Sequence, residues 1–173
     1  GGYGQSDVVY PFFDDYPVVD FQSLTIRNSG QDLFYSHMKT AFFEMAVQDM
    51  DVDNMQQKPV AVYINGRYWG MYWLSENQNE DHFASAYDFD RDDIEVVRRN
   101  STAICGTNEE FLDVRKFART HDMGIEENYN EFIGMVDEQA FIDYIIVQTF
   151  INNWDMYNQK YWRTVDYEHE WRP

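Results

Sequence analysis

The chain has 173 residues, of which 44% are hydrophobic and 18% aromatic, and its formal net charge is −18. A composition this rich in aromatic residues allows a packed core and argues against disorder over most of the length. The negative charge repels nucleic-acid phosphates and anionic lipids, so we expect no nucleic-acid partner and no membrane insertion.

The first predicted elements are an arm, a strand and a helix. Residues 1–17, rich in Gly, Asp, Tyr and Pro, are predicted to form an irregular arm, and residues 18–27 a strand. Asp32 can cap a helix, and the apolar residues after it recur at helical spacing. We therefore predict one helix of about four turns that ends near Asp49.

The clearest local signal is the dipeptide Asn65-Gly66. It lies between an alternating run at residues 60–64 and an aromatic run at residues 68–74. Both central residues of the commonest two-residue hairpin turn need a positive φ, which Asn and Gly adopt readily. This pattern predicts a β-hairpin.

The next segment is predicted to hold shorter elements. They are a helix over residues 80–87 and a strand over residues 94–98. Thr107 and Glu110 have the spacing of a capping box, and a helix with an apolar stripe is predicted to follow and to end before Gly124.

The last predicted helix runs from a cap at Asp137 to about Asn152. Because it is apolar on nearly every side, we predict that it is buried at the centre of its domain. Two strands, at residues 161–165 and 170–173, are predicted after it. The whole order of elements indicates an α+β fold, with strands concentrated in the first half and helices in the second.

The sharpest candidate site follows that helix, in the loop that holds Asp155 and Asn158. Phosphoryl transfer uses this pair of residue types, a carboxylate that orients the attacking hydroxyl and an amide oxygen that holds Mg²⁺. The alternative is that both are ordinary loop and cap residues, which is the commonest use of Asn and Asp.

A set of basic residues and one acid are weaker candidates. Arg27, at a predicted strand end, could neutralise phosphate oxygens, as could Lys39 and Lys58, but surface ion pairs are the alternative. Glu76, just after the hairpin, could hold a basic partner or a nucleotide edge, or be a solvated acid. The acidic run at residues 88–93 lacks the Gly and Glu that a calcium-binding EF-hand loop requires, and we predict a solvated turn there.

Four segments, in the same order, resemble the CotH family of spore coat kinases. They are residues 24–32 (LTIRNSGQD), 59–72 (PVAVYINGRYWGMY) with Glu76 shortly after, 137–144 (DEQAFIDY) and 153–158 (NWDMYN). The hairpin segment at residues 59–72 and the loop around Asp155 are the most specific parts of the resemblance.

The resemblance implies an atypical protein-kinase-like fold that transfers phosphate from ATP, with Mg²⁺ or Mn²⁺, to Ser or Thr of a protein. A small-lobe-like part would occupy residues 18–104 and a large-lobe-like part residues 105–173. By this resemblance, Asp155 would be the catalytic aspartate and Asn158 a metal-binding asparagine. Arg27 would be a cation that faces phosphate, and Glu76 an acid that is structural or lies on the nucleotide side.

The sequence departs from the family pattern at two places. Asn158 follows Asp155 by a shorter spacing than expected, and the family's second metal-binding Asp is expected just beyond Trp171-Arg172-Pro173. We therefore expect a truncated kinase domain with little or no activity, from the spore coat or the extracellular space. Two other hypotheses are a non-catalytic structural module of a spore coat or extracellular assembly, and a carbohydrate-binding module, because abundant aromatic residues suit packing and sugar stacking.

Overall fold

The structure, a computed structural model, describes residues 7–165 and 170–173; residues 1–6 of the predicted arm lie outside this description. The described residues form three small antiparallel sheets and five α-helices, which confirms the α+β class. They divide into two compact units. The first holds residues 7–49 and 54–86, and the second holds residues 50–53, 87–165 and 170–173.

The first unit is built on two antiparallel sheets, one pairing β1 with β2 and the other in the order β3-β5-β4. Its strands are β1 (Val8–Val9), β2 (Asp20–Phe21), β3 (Leu24–Arg27), β4 (Gln57–Ile64) and β5 (Arg67–Glu76). Its helices are α1 (Lys39–Ala46) and α2 (Glu80–Tyr87), the latter matching the prediction and running to the first residue of the second unit.

The hairpin of β4 and β5 confirms the prediction from Asn65-Gly66. These two residues have φ values of 51° and 78°, and Ile64 pairs directly with Arg67 across the turn. β3 pairs with the other edge of β5, so β5 is the central strand of this sheet. The turn at Asn65-Gly66 thus fixes the register between β4 and β5.

The prediction of one long helix after Asp32 is wrong. A 3₁₀ turn, Gly30–Phe34, comes first, and α1 begins at Lys39, after His37 has adopted a φ of 61°. The carboxylate of Asp32 accepts hydrogen bonds from the Ser36 hydroxyl, at 2.6 Å, and from the Lys39 amide, at 2.9 Å. These bonds lower the pKa of Asp32. They also favour a turn followed by the start of a separate helix, α1, over one continuous helix.

The second unit has one antiparallel sheet, in the order β7-β6-β8, and three helices among its described residues. The strands are β6 (Ile94–Arg98), β7 (Ala103–Cys105) and β8 (Lys160–Thr164), and the helices are α3 (Glu109–Thr120), α4 (Glu126–Ile133) and α5 (Glu138–Phe150). β6 and β8 agree with the prediction, whereas β7 and α4 were not predicted.

The core of this unit joins residues that are far apart in sequence. One cluster in it has Val97, Phe111, Val136 and Trp171 as its buried members. The predicted final strand is reduced to two isolated bridges, in which Trp171 pairs with Val136 and Arg172 with Trp162. The segment at residues 170–173 therefore contributes to the core through Trp171 rather than through a long strand.

The predicted capping box before α3 is wrong. The amide and hydroxyl of Thr107 both donate to the Glu95 carboxylate, at 2.9 and 2.8 Å, and Glu110 pairs with Arg163 at 3.2 Å. Asn108 occupies the cap position, but its side chain does not cap the helix and donates instead to the Ser101 carbonyl oxygen at 2.6 Å. Since a buried strand supplies a charged acceptor for Thr107, the reciprocal local bonds of a capping box do not form.

α5 begins as predicted, because the carboxylate of Asp137 accepts a hydrogen bond from the Ala140 amide at 3.0 Å. Its predicted full burial is wrong. Only Ala140 and Val147 are buried among its residues, and Phe150 is 89% exposed. A helix that is apolar on every side needs neighbours on every side, and the described part of this unit covers only one face.

Candidate functional site

The predicted site loop follows α5 and holds Asp155 and Asn158 in one turn. The amide of Asn158 donates to the carbonyl oxygen of Asp155 at 2.9 Å, and the Asp155 amide donates to the Asn153 side chain at 3.0 Å. The side chains of Asp155 and Asn158 are both exposed. The turn therefore places a carboxylate and an amide three residues apart on a surface that solvent or a ligand can reach.

Hydrogen bonds from α5 hold this loop at two points. The hydroxyl of Tyr144 donates to the carbonyl oxygen of Met156 at 2.5 Å, and the side-chain Nδ2 of Asn153 donates to the side-chain oxygen of Gln148 at 2.6 Å. Burial raises the pKa of Tyr144 to about 12, which keeps its hydroxyl a donor at neutral pH. The backbone of the loop is thereby fixed although the side chains of Asp155 and Asn158 are exposed.

Arg99, just after β6, fixes the other end of the loop. Its amide donates to the Gln159 carbonyl oxygen at 3.2 Å, and its guanidinium lies 4.9 Å from the centre of the Tyr157 ring. A cation over an aromatic face is attracted by the negative charge density of the ring. The loop thus runs between two anchors, α5 and the end of β6.

The oxygen donors in this turn are of the kind that Mg²⁺ and Mn²⁺ prefer. Mg²⁺ is commonly held by one or two carboxylates, with water and substrate phosphates completing its shell. Asp155 and Asn158 could supply one carboxylate and one amide oxygen. Among the described residues, no group of three or more His, Cys, Asp or Glu side chains could hold a metal by itself, so any ion here would depend on such additional ligands.

Glu76, the last residue of β5, is buried, not solvated. Its carboxylate accepts hydrogen bonds from the Tyr16 hydroxyl at 2.9 Å and from the Gln56 amide at 2.8 Å. The Nδ1 of His82, on α2, lies 3.3 Å from Oε1 of Glu76, at ion-pair distance but without the geometry of a hydrogen bond. Glu76 thereby ties the arm, β4 and α2 together within the first unit.

The pKa of Glu44, on α1, depends in part on its electrostatic interactions with Glu76 and His82. Burial raises its pKa to about 7, and the negative charge of Glu76 adds to this, whereas the Met55 amide and His82 act in the opposite direction. Its carboxylate accepts the hydrogen bond from Met55 at 3.0 Å. Glu44 is therefore a carboxyl that titrates close to neutral pH inside the first unit.

Arg27 and Glu76 lie on adjacent strands but at different positions along them. Arg27 is exposed at the end of β3 and pairs with Trp73 on β5, whereas Glu76 pairs with Leu24. Three residues of strand separate the two pairs, which is a distance of about 10 Å. Arg27 and Glu76 thus do not form one cluster.

The other predicted cations are held separately. The Nζ atoms of Lys39 and Lys58 each lie 5.9 Å from the centre of an aromatic ring, that of Phe43 and that of Phe12 respectively. Arg27 has no ion-pair partner among the described residues of the first unit. Two of the three predicted cations therefore lie over aromatic rings.

An ion-pair cluster around Arg172 was not predicted from the sequence. Its guanidinium pairs with Asp137, with Asp51 at 2.5 Å and with Asp53 at 3.5 Å. Burial alone would lower the pKa of Arg172, but these carboxylates raise it above its ordinary value. The residues are separated by up to 121 positions, so no spacing rule in the sequence could have found the cluster.

The same cluster ties residues 50–53 to the second unit. The Asp51 amide donates to Asp143 on α5 at 2.9 Å, and Asp53 accepts a hydrogen bond from the Trp162 indole at 2.6 Å. α5 therefore carries the cap Asp137, which meets Arg172, as well as the anchor of the loop with Asp155.

Comparison with known proteins gives one result. A family model described as CotH kinase protein matches residues 9–172 of the chain. No curated protein and no solved structure shows a significant match.

Proposed function

The chain belongs to the CotH kinase protein family, and from this premise we propose that it is a kinase-like phosphotransferase domain that uses ATP to phosphorylate Ser or Thr of a protein. The family match spans nearly the whole chain and includes the hairpin and the loop with Asp155. One observation carries the proposal, namely that this loop presents an exposed carboxylate and amide on a backbone fixed by α5 and Arg99.

Asp155 is the proposed catalytic residue. Its carboxylate would accept a hydrogen bond from the acceptor hydroxyl and orient the oxygen toward the transferred phosphoryl group. The exposure of Asp155 supports this role, because a protein acceptor must reach it from outside. The bond from Tyr144 to Met156 would keep the carboxylate in place without touching the substrate.

Asn158 is the proposed metal ligand of the chain, with Asp155 as its neighbour in the same turn. A bound Mg²⁺ or Mn²⁺ would neutralise charge on the phosphates of ATP. Arg27, exposed at the end of β3, is proposed to face phosphate oxygens, and it is free of any competing ion pair within the described residues.

The contacts of Glu76 support the structural half of its predicted role. Its carboxylate already accepts two hydrogen bonds and lies beside His82, which leaves little capacity for a nucleotide. We therefore propose that Glu76 holds the first unit together and does not contact the ligand.

The direct test is phosphate transfer from labelled ATP to a mixture of unstructured Ser- and Thr-containing proteins, with Mg²⁺ or Mn²⁺ and with EDTA as the control. Metal-dependent labelling is the expected result, because the metal neutralises charge on the phosphates of ATP. Absence of labelling with either metal, by a chain whose melting temperature shows that it is folded, would refute the proposal.

A second candidate, a non-catalytic binding module, is favoured by the tip of the hairpin. Tyr63, Tyr68 and Trp69 are each more than 60% exposed there, and the two tyrosine rings pack edge to face. Exposed aromatic rings suit stacking on sugars or packing in an assembly. Retention on an insoluble polysaccharide that is lost in the Trp69→Ala variant, together with no nucleotide binding, would favour this function instead.

We also propose a spore coat or extracellular location. The net charge of −18 suits a protein that stays soluble in such a setting. Within the described residues, no helix combines the length and the apolar character that crossing a membrane requires. Recovery of the native protein in the coat or culture-fluid fraction is expected, and recovery only in the cytosolic fraction would contradict the proposal.

A further inference from the structure

A cavity of about 240 Å³ lies in the second unit, next to the core. Its walls are mainly aromatic and aliphatic, with Phe111, Phe141, Tyr161 and Trp171 among them, and two arginines, Arg99 and Arg115, also line it. An apolar wall with a few polar groups directed at one space is the usual form of a small-molecule site.

The charges in this cavity are opposite to those of the chain. The sequence has 31 acidic and 13 basic residues, yet the described residues that line the cavity include two arginines and no carboxylate. Arg115 donates to the carbonyl oxygen of Arg99 at 3.1 Å and to the hydroxyl of Ser101, and Arg99 lies over the Tyr157 ring. Neither arginine has an ion pair within the described residues, so both charges are available to an anion.

Trp171 is the most deeply buried residue of the cavity wall. The residue is only 1% exposed, and its indole Nε1 has no hydrogen-bond partner among the residues that the structure describes. Trp171 therefore contributes to the cavity as part of its apolar wall.

We propose that this cavity binds a small aromatic anion, a single ring that carries one carboxylate or phosphate. The ring would pack against Phe111, Phe141 and Tyr161, and the anionic oxygens would accept hydrogen bonds from Arg99 and Arg115. A cavity of about 150 Å³ can hold benzene, so this one has room for a ring with one substituent. The site does not depend on the proposed phosphotransferase activity, since the nucleotide and the metal take no part in it.

Calorimetric titration with phenyl phosphate in EDTA tests the proposal, with inorganic phosphate and phenol as matched probes that lack the ring or the charge. Saturable binding of phenyl phosphate is expected, at least tenfold tighter than that of either control. Equal affinity for inorganic phosphate would overturn the role of the aromatic wall, equal affinity for phenol would overturn the role of the arginines, and no binding would overturn the site itself.

Variants locate the site. Arg99→Gln should weaken phenyl phosphate binding about tenfold. Arg98→Gln is the matched control, because Arg98 is exposed beside Arg99 but does not line the cavity. Asp155→Asn should leave the affinity unchanged, and a loss there equal to that in Arg99→Gln would assign the binding to the phosphotransfer loop instead. The melting temperature of each variant shows that it is folded.

Discussion

The hydroxyl of Tyr144, on α5, donates a hydrogen bond to the carbonyl oxygen of Met156, the residue after Asp155. This contact joins a helix to the loop that carries the proposed catalytic carboxylate. A loop with exposed side chains can hold a reacting group accurately only if its backbone is fixed from behind, and Tyr144 does this together with Arg99.

Tyr144→Phe should therefore reduce catalysis more than it reduces stability. Removal of the hydroxyl leaves the Met156 carbonyl without its partner and is expected to cost about 1 kcal/mol in the free energy of unfolding. The rate of phosphate transfer should fall about tenfold or more, with KM for the acceptor unchanged. The reason is that the variant keeps the Asp155 carboxylate but loses the bond that positions it.

Tyr129→Phe provides the control for that variant. The hydroxyl of Tyr129 also donates to a side chain, that of Glu138, but this bond lies at the start of α5 and not at the loop. Its loss should leave the transfer rate unchanged. Equal loss of rate in both variants would contradict a positioning role for Tyr144.

Glu44 should make the stability of the chain fall as the pH rises from about 4.5 to about 7. Its pKa is raised from an ordinary 4.5 to about 7, first by burial, so the folded state binds this proton more tightly than the unfolded state does. The stabilising effect is complete below pH 4.5 and is lost as the pH passes through 7, with a contribution of about 3 kcal/mol at most.

The comparison with Glu44→Gln isolates this effect from the other carboxyls. Asp32 and Glu95 have lowered pKa values and act with the opposite sign, since they stabilise the fold above their unfolded pKa values. Urea unfolding from pH 4.5 to pH 8 should show that the variant gains stability relative to the wild type as the pH rises. A constant difference across this range would show that Glu44 does not titrate there.

Arg172→Met should destabilise the second unit by about 2–3 kcal/mol. The guanidinium is the shared partner of Asp51, Asp53 and Asp137, and its removal leaves three partly buried carboxylates to repel one another. Urea unfolding at pH 7 measures the loss. Arg119→Met, at an exposed position on α3, is the control and should change the stability by less than about 0.5 kcal/mol.

The features that were predictable from the sequence are those set by neighbouring residues. Asn65-Gly66 specifies its own turn, and Asp137 caps α5 through an amide three residues away. In both cases the physical cause lies within a few positions of the residue, so a local pattern is sufficient to predict it.

The features that were missed depend on distant partners. Thr107, which follows β7, bonds Glu95 on β6 instead of forming a capping box. Arg172 pairs with carboxylates from sequence positions 51, 53 and 137. Asp32 is an intermediate case. Its carboxylate bonds a nearby backbone amide, as the capping prediction required, but that amide belongs to Lys39. The predicted single helix is therefore a 3₁₀ turn followed by α1. The loop with Asp155 was located from its own residues, but its anchors, Tyr144 and Arg99, were not.

The account depends most on Asp155, and a single-turnover measurement tests it most directly. The rate of phosphate transfer from ATP is compared between the wild type, Asp155→Asn and Asp113→Asn, where Asp113 is an exposed aspartate on α3. Asp155→Asn should lower the rate at least a hundredfold, with the melting temperature unchanged, and Asp113→Asn should leave the rate as it is. A rate for Asp155→Asn within a factor of two of the wild type would contradict the role proposed for the loop.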